Sequence, residues 1–122
     1  MNRLTDIFKI LSDETRLRIL ILLYQEELCV CQLSGILDVP QPKISTNLSK
    51  LRDLNLVVDE RKERYVFYSL KDKNKVLIKI LEGIISDVDA YSQFVIDRKG
   101  LSDKEHYLNQ CTSPVINLRT GS

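Results

Sequence analysis

Three cysteines carry the most distinctive chemistry in this sequence. Cys29 and Cys31 are separated by one residue, and Cys111 lies near the end of the chain. A disulfide between such close neighbours is strained, and an odd number of cysteines does not make a disulfide framework. Reduced thiolates are soft ligands that select soft or borderline ions. The pair predicts a site for a thiophilic ion. The alternatives are plain packing of two small side chains, or a redox switch in which one of them joins Cys111.

The one-residue spacing has a mechanical consequence. Residues i and i+2 of a regular helix point about 200° apart. Two sulfurs on one ion must approach within roughly 3 to 4 Å, because metal–sulfur bonds are about 2.3 Å long. Binding must therefore unwind the start of a helix, or the pair must already lie in an irregular turn. In both cases the ion favours one backbone geometry, which is what a ligand-driven switch requires.

Length and charge set the class of protein. The 122 residues suit one compact domain, predicted over residues 1–100, with residues 101–122 as a flexible C-terminal tail. The longest apolar run, residues 19–24, is far shorter than the roughly 20 residues of a membrane span. The first residues lack the features of a signal peptide, so we expect a cytoplasmic protein without a membrane partner. The net charge of +1 means that a DNA-binding surface would need local clusters of basic residues.

Apolar periodicity predicts a mainly α-helical domain. The first helix has an apolar stripe, and the second, Glu14–Gln25, is apolar on most sides and belongs in the middle of the core. A third helix over residues 29–37, a turn at residues 38–40 and a fourth helix opening at Gln41 and Pro42 match a helix-turn-helix. The apolar stripe of the first helix is Leu4, Ile7, Phe8 and Leu11, and the predicted buried face of the fourth helix is Ile44, Leu48 and Leu51.

The outer face of the fourth helix is polar, as expected for a helix that lies in the major groove of DNA. Glutamine and asparagine pair with adenine, and hydroxyls with several bases. Two strands, residues 56–58 and 65–68, flank a charged tip and predict a β-hairpin wing whose basic residues contact phosphates. The predicted DNA-contacting residues are Gln41, Lys43, Ser45, Thr46, Asn47, Lys50, Arg61, Lys62 and Arg64.

A long last helix is predicted over residues 73–99, ended by Gly100. It is too long and too apolar for so small a domain to cover, and exposed apolar stripes of that size mark partner surfaces. The sequence thus predicts a winged helix-turn-helix, mainly α with a β-hairpin, that forms a homodimer through its first and last helices.

Residues 27–33, ELCVCQL, are similar to the ELCVCDL metal-binding box of the ArsR/SmtB family of metalloregulatory repressors. Residues 41–45, QPKIS, resemble the recognition helix of that family, and residues 12–16, SDETR, resemble the opening of its second helix. The likeness covers about residues 3 to 98. The resemblance implies a homodimeric repressor that binds a two-fold symmetric operator in double-stranded DNA. It also implies that the repressor releases this operator when an ion binds. The spelling of the box points to the arsenic branch, with arsenite or antimonite as inducer and no permanent cofactor.

The sequence departs from this family pattern in places. Ser34 stands where the arsenic branch often has a third cysteine. By resemblance, trivalent arsenic takes three sulfurs, so the third could come from Cys111 of either protomer or from an exogenous thiol such as glutathione. Asn47 replaces a frequent histidine and Asn55 a glycine. The zinc branch uses carboxylates and histidines on the last helix, which here has no histidine, so that site is not carried over.

Other classes of function remain as rivals. An enzyme is not expected, because the single histidine, His106, makes no catalytic pairing at a recognisable spacing and only four glycines are present. A sensor of cadmium, lead or zinc, or of thiol oxidation, could use the same fold and cysteines. A winged helix that binds proteins is the rival from another class, and DNA binding with steep salt dependence would separate the two.

Overall fold

The computed structural model describes residues 2–71 and 74–110. This part of the chain contains seven α-helices and three β-strands, with short 3-10 turns at Val88–Ala90 and Gly100–Asp103. In chain order the elements are α1 Asn2–Leu11, α2 Glu14–Gln25, β1 Leu28–Cys29, α3 Val30–Leu37, α4 Gln41–Asp53, β2 Val57–Lys62, β3 Tyr65–Leu70, α5 Lys75–Ser86, α6 Ser92–Lys99 and α7 Lys104–Gln110.

The second helix lies at the centre of the core, as its composition predicts. Residues 19–23 are all buried, and α1, α3, α4, α5, α6 and β3 pack around the helix. Its start is fixed by Asp13, whose carboxylate accepts the backbone N–H of Arg16 at 2.9 Å. This cap satisfies one of the four N–H groups that a helix leaves without an intrahelical partner.

The predicted helix-turn-helix is confirmed in α3 and α4. The turn between them places Asp38 in the left-handed region, with φ 57°, and the Ser34 hydroxyl donates to the carbonyl of Val39 at 2.6 Å. Ile44, Leu48 and Leu51 of α4 are fully buried, as expected. The wing is also present as the β2–β3 hairpin, in which Val57 pairs with Leu70 and Lys62 with Tyr65.

A third strand, which the sequence analysis did not predict, joins the wing. The two residues of β1 pair antiparallel with β3, Leu28 opposite Tyr68 and Cys29 opposite Phe67, so the sheet has the order β1-β3-β2. A strand of two residues has no periodicity of its own, and its pairing is set by the position of the wing. The segment before α3 is thereby hydrogen-bonded to the wing.

The prediction of one long helix over residues 73–99 is wrong. The helix α5 ends at Ser86, a 3-10 turn follows, and α6 turns back onto α2. The chain turns back because of an ion pair between α6 and α2. Asp97 of α6 is buried, and its two carboxylate oxygens accept hydrogen bonds from Nε and Nη2 of Arg18 in α2, both at 2.9 Å. A straight helix could not deliver Asp97 to Arg18, which lies 79 residues earlier in the chain.

The chain continues in helical form beyond Gly100. Residues 104–110, which the sequence analysis placed in the tail, form α7, and this helix packs against α3. Across residues 2–71 and 74–110, no helix has both the length and the apolar character needed to cross a membrane.

Candidate metal centre and nucleic-acid interface

The two neighbouring cysteines lie on either side of the junction between β1 and α3. Cys29 is the last residue of β1, with the extended angles φ −95° and ψ 173°, and Cys31 is the second residue of α3. Of the two geometries that the spacing allows, the structure therefore has the irregular one. The expected helix over residues 29–37 begins one residue later, at Val30.

Gln32 holds this junction from both sides. Its Oε1 accepts the backbone N–H of Cys29 at 3.1 Å, and its Nε2 donates to the backbone carbonyl of Lys104, in α7, at 3.1 Å. Gln32 is 2% exposed; its bond to Cys29 is buried, and its bond to Lys104 is partly buried. Sequence reasoning missed this residue, although a glutamine at the third position of a helix is a known signal of a capping box.

Both cysteine sulfurs are enclosed by the protein. Cys29 is a free cysteine with 3% of its surface exposed. Burial raises the pKa of the Cys29 thiol, while the backbone N–H groups of Gln32 and Cys31, which hydrogen-bond to its sulfur, act in the opposite direction. Cys31 is 7% exposed, and its sulfur accepts a hydrogen bond from Nε2 of Gln41 at 3.5 Å. Because Gln41 is the first residue of α4, this contact joins the cysteine segment to the helix that follows.

The third ligand suggested for this centre, Cys111, lies outside the described residues. Within the ranges 2–71 and 74–110, no group of three histidine, cysteine or carboxylate side chains could hold a metal ion. Ser34 already uses its hydroxyl in the turn between α3 and α4. His106 lies on α7 and is exposed. The described site therefore supplies two sulfurs, of which Cys29 is a free thiol. Cys31 is disulfide-bonded in this structure, so its sulfur can bind an ion only after reduction.

The exposed face of α4 carries most of the side chains predicted to contact DNA. Gln41, Lys43, Ser45, Thr46 and Lys50 are exposed, as expected.

For Asn47 the expectation of an outward side chain is wrong. Asn47 is 7% exposed; its Nδ2 donates to the carbonyl of Lys43 at 2.9 Å, and its Oδ1 accepts from Nη1 of Arg16 at 3.4 Å. The 3.6-residue period puts Asn47 next to the inward Ile44 and Leu48, and its amide is used within the protein. Asn47 therefore does not belong to the exposed face of α4.

The wing presents three basic side chains at its tip, and Arg61, Lys62 and Arg64 are all exposed. Lys62 forms an ion pair with Glu27, the residue before β1. This pairing raises the pKa of the Lys62 ammonium. At the other end of the wing, Arg52 of α4 pairs with Asp59 at 3.1 Å. Exposed pairs of this kind contribute little to stability. Glu27 thus places a carboxylate from the cysteine segment against the wing.

Comparison with known proteins places these elements in a family. The profile described as "Bacterial regulatory protein, arsR family" matches residues 13–58. The arsenical resistance operon repressor of Bacillus subtilis (strain 168) is 42% identical over 81 residues, covering 66% of this chain and 71% of the repressor. The chain belongs to the arsR family.

Other relatives differ in what their names say they respond to. The arsenical resistance operon repressor of Escherichia coli (strain K12) is 51% identical over 65 residues, covering 52% of this chain and 56% of that protein. The cadmium resistance regulatory protein CadC of Listeria innocua is 40% identical over 75 residues, covering 61% and 59%. The chain spans about half the length of most of the curated relatives it matches.

Solved structures of the family share the fold. HlyU from Vibrio cholerae superposes with a TM-score of 0.62 at 30% identity, over 68% of this chain and 88% of that one. The winged helix-turn-helix is therefore the fold of this member of the arsR family. The family profile includes both neighbouring cysteines and the whole of α3 and α4, whereas α5, α6 and α7 lie beyond it.

Proposed function

We propose that this protein is a homodimeric transcriptional repressor that releases its operator when trivalent arsenic or antimony binds at Cys29 and Cys31. The observation that carries the proposal is the position of the sulfur pair at the β1–α3 junction. From there β1 pairs with the wing, and the Cys31 sulfur contacts the first residue of α4. One small site thus touches both elements that would contact DNA.

The inducer competes with contacts that the sulfurs make in this structure. In the reduced protein, each As–S bond forms as an As–OH bond breaks, and the displaced hydroxide leaves as water with the thiol proton. Cys29 then loses its backbone hydrogen bonds to Gln32 and Cys31, and Cys31 loses the bond from Gln41. Because these contacts hold the junction in its present form, we expect an ion that replaces them to favour a different backbone geometry there. That difference couples binding to release, with an expected coupling of about 1–3 kcal/mol, a change of about 5- to 150-fold in operator affinity.

A third sulfur would complete the coordination of trivalent arsenic. Cys111 follows Gln110, the last residue of α7, which packs against α3. We therefore rank Cys111 before an exogenous thiol such as glutathione as the third ligand. A Cys111→Ser variant with a weaker, glutathione-dependent response would support this order.

The operator would be read by two copies of α4. Exposed apolar side chains on α1 and α5, Phe8 at 55% and Val76 at 45%, supply the dimer surface. A two-fold dimer sets its reading helices about 34 Å apart, one turn of the duplex, and so binds a two-fold symmetric operator. The exposed polar residues of α4 read bases, and the wing contacts phosphates.

Removing wing charges is expected to weaken all DNA binding alike. Arg61→Ala and Arg64→Ala should each lower the affinity for operator and for unrelated duplex by a similar factor, and reduce the slope of log affinity against log salt concentration by about one per protomer. The measurement is fluorescence anisotropy over a salt series, with Lys99→Ala, an exposed lysine at the end of α6, as control. A loss confined to the operator would show that the wing reads sequence instead.

The experiment that tests the function is an operator titration. Under reducing conditions, operator affinity is measured with arsenite, antimonite, cadmium and zinc in turn. We expect steeply salt-dependent binding that arsenite and antimonite weaken. Binding to no duplex would favour the protein-interaction rival, and binding that arsenite leaves unchanged would reject the proposed inducer.

A cadmium sensor is the second candidate, because several relatives are named for cadmium resistance. The pH dependence of binding separates the two. Cadmium displaces the thiol protons into solution, whereas arsenite releases none, because they leave as water. Burial raises the pKa of Cys29, so its thiol is protonated through neutral pH. Between about pH 6 and 8, the Cys29 thiol alone should make cadmium affinity rise by up to about tenfold per pH unit, and arsenite affinity should change little. Isothermal titration calorimetry measures the affinity for each ion at each pH. The ion that binds more tightly is the better candidate for the inducer.

A further inference from the structure

The hydrogen bonds of Gln32 link two segments that are far apart in the sequence. One end of its amide holds the backbone N–H of Cys29, and the other end holds the carbonyl of Lys104, 72 residues later. Since Gln32 is almost fully buried, its bond to the Cys29 N–H is shielded from water, and its bond to the Lys104 carbonyl is partly shielded. The backbone at Cys29 is therefore connected to α7 through one side chain.

The helix α7 is seated on α3 by close packing. Gly35 of α3 faces the ring of Tyr107, and a Cβ built on Gly35 would lie 2.1 Å from Cδ1 and 2.3 Å from Cγ of that ring. Only glycine allows this approach, because real Cβ atoms do not come within 3.0 Å of such atoms. An ion pair between Lys104 and Glu26 closes the same end of α7. The packing of Tyr107 on Gly35 is independent of the Gln32 hydrogen bonds. Both contacts hold α7 against the segment that contains the cysteines.

We propose that Gln32 is a positioning residue which, held by α7, keeps Cys29 in the inducer-free geometry and so sets the concentration of inducer needed for release. The inference rests on the proposed function for the identity of the inducer. An ion that takes the Cys29 sulfur away from the backbone N–H groups at the start of α3 favours a shifted backbone at Cys29, and the hydrogen bond from Cys29 N–H to Gln32 opposes that shift. Contacts that exist in one of two geometries weaken every ligand that requires the other.

Two variants remove the restraint in different ways. Gln32→Met keeps the length of the side chain but removes both hydrogen bonds. Gly35→Ala leaves Gln32 intact and forces Tyr107, and with it α7, away from α3. Alanine is the better helix former by about 1 kcal/mol, so an effect of Gly35→Ala would not come from a weakened α3. Gln25→Met is the matched control, because Gln25 donates only to the Ile21 carbonyl of its own helix.

The first measurement needs no inducer. In a Cys31→Ser/Cys111→Ser background, only Cys29 can react with iodoacetamide. We expect Gln32→Met and Gly35→Ala to be alkylated at least about tenfold faster than the background protein, and Gln25→Met at the background rate. Equal rates in all four proteins would overturn the positioning role, whether or not the protein responds to arsenite.

The second measurement is the arsenite concentration at half-release from operator, with all three cysteines present. Losing a restraint worth one or two hydrogen bonds should lower this arsenite concentration about three- to tenfold in both variants. Gly35→Ala should keep the operator affinity that the protein has without inducer. If Gly35→Ala needed a higher arsenite concentration for half-release, α7 would assist arsenite binding instead of opposing it. If Gly35→Ala changed that concentration and Gln32→Met did not, Gln32 would not be the residue through which α7 acts. If the unmodified protein never releases its operator, the proposed function fails, and the alkylation rates alone decide the role of Gln32.

Discussion

The Cys29→Ser/Cys31→Ser protein is expected to stay on its operator at arsenite concentrations that release the unmodified protein. Serine keeps the size and weak polarity of cysteine, so β1, α3 and the helix-turn-helix should form as before. A neutral hydroxyl is a hard, weakly binding ligand, and arsenic exchanges its own oxygen ligands for it without gain. The expected loss is the whole arsenite effect, about 5- to 150-fold in operator affinity.

The measurement for this variant is operator affinity by anisotropy, with and without arsenite, under reducing conditions. Inducer-free affinity within about threefold of the unmodified protein is the internal control, since it shows that the reading helices remain in place. Single variants should each lose most of the response, because each removes one sulfur of the pair and leaves Cys111 as the only other cysteine ligand. Release of the double variant by arsenite would show that the inducer acts elsewhere.

Asp97→Ala is expected to be the most destabilising single substitution discussed here, lowering the free energy of unfolding by about 3–5 kcal/mol. The Asp97 side chain is 1% exposed, and its carboxylate accepts from Arg18 twice and from Nε2 of Gln93 at 3.0 Å. The Arg18 guanidinium also donates to the carbonyl of Leu37 at 3.1 Å. The hydrogen bond with Asp97 is the chief cause that raises the pKa of Arg18. Without Asp97 the guanidinium still stays charged, because arginine is not deprotonated in proteins. A largely buried cation without a counter-ion is the cause of the cost.

Denaturant unfolding followed by circular dichroism measures this effect. Asp89→Ala is the matched control, because Asp89 is 93% exposed and lies 3.9 Å from Arg98, so its loss should change stability by less than about 0.5 kcal/mol. If Asp97→Ala cost no more than the control, the ion pair between α6 and α2 would not be what turns the chain back after α5.

The elements that were predicted correctly are those with a local signal. The near-continuous apolar run of residues 19–23 marks α2 as central, and Pro42 with the inward Ile44 and Leu48 marks α4. The break after α5 has no such signal, because the apolar stripe continues through Val88 and Phe94. What ends that helix is the pairing of Asp97 with Arg18, a contact between residues far apart in the chain.

The candidate site divides in the same way. The cysteine pair was found from residue type and spacing, and the irregular junction was one of the two geometries that spacing allowed. Gln32 was visible as a helix-capping residue, but its bond to Lys104 was not, because no local pattern shows that α7 folds onto α3. The burial of Asn47 was missed because its amide finds partners in Lys43 and in Arg16 of another helix.

The most direct test of the coupling between sulfur site and DNA is its reciprocity. Arsenite is titrated calorimetrically into the free protein and into the protein saturated with operator. If both ligands select between two backbone geometries, operator must weaken arsenite binding by the same factor by which arsenite weakens operator binding. We predict equal factors between about 5 and 150. Arsenite that binds the free and the DNA-bound protein with the same affinity would contradict the account.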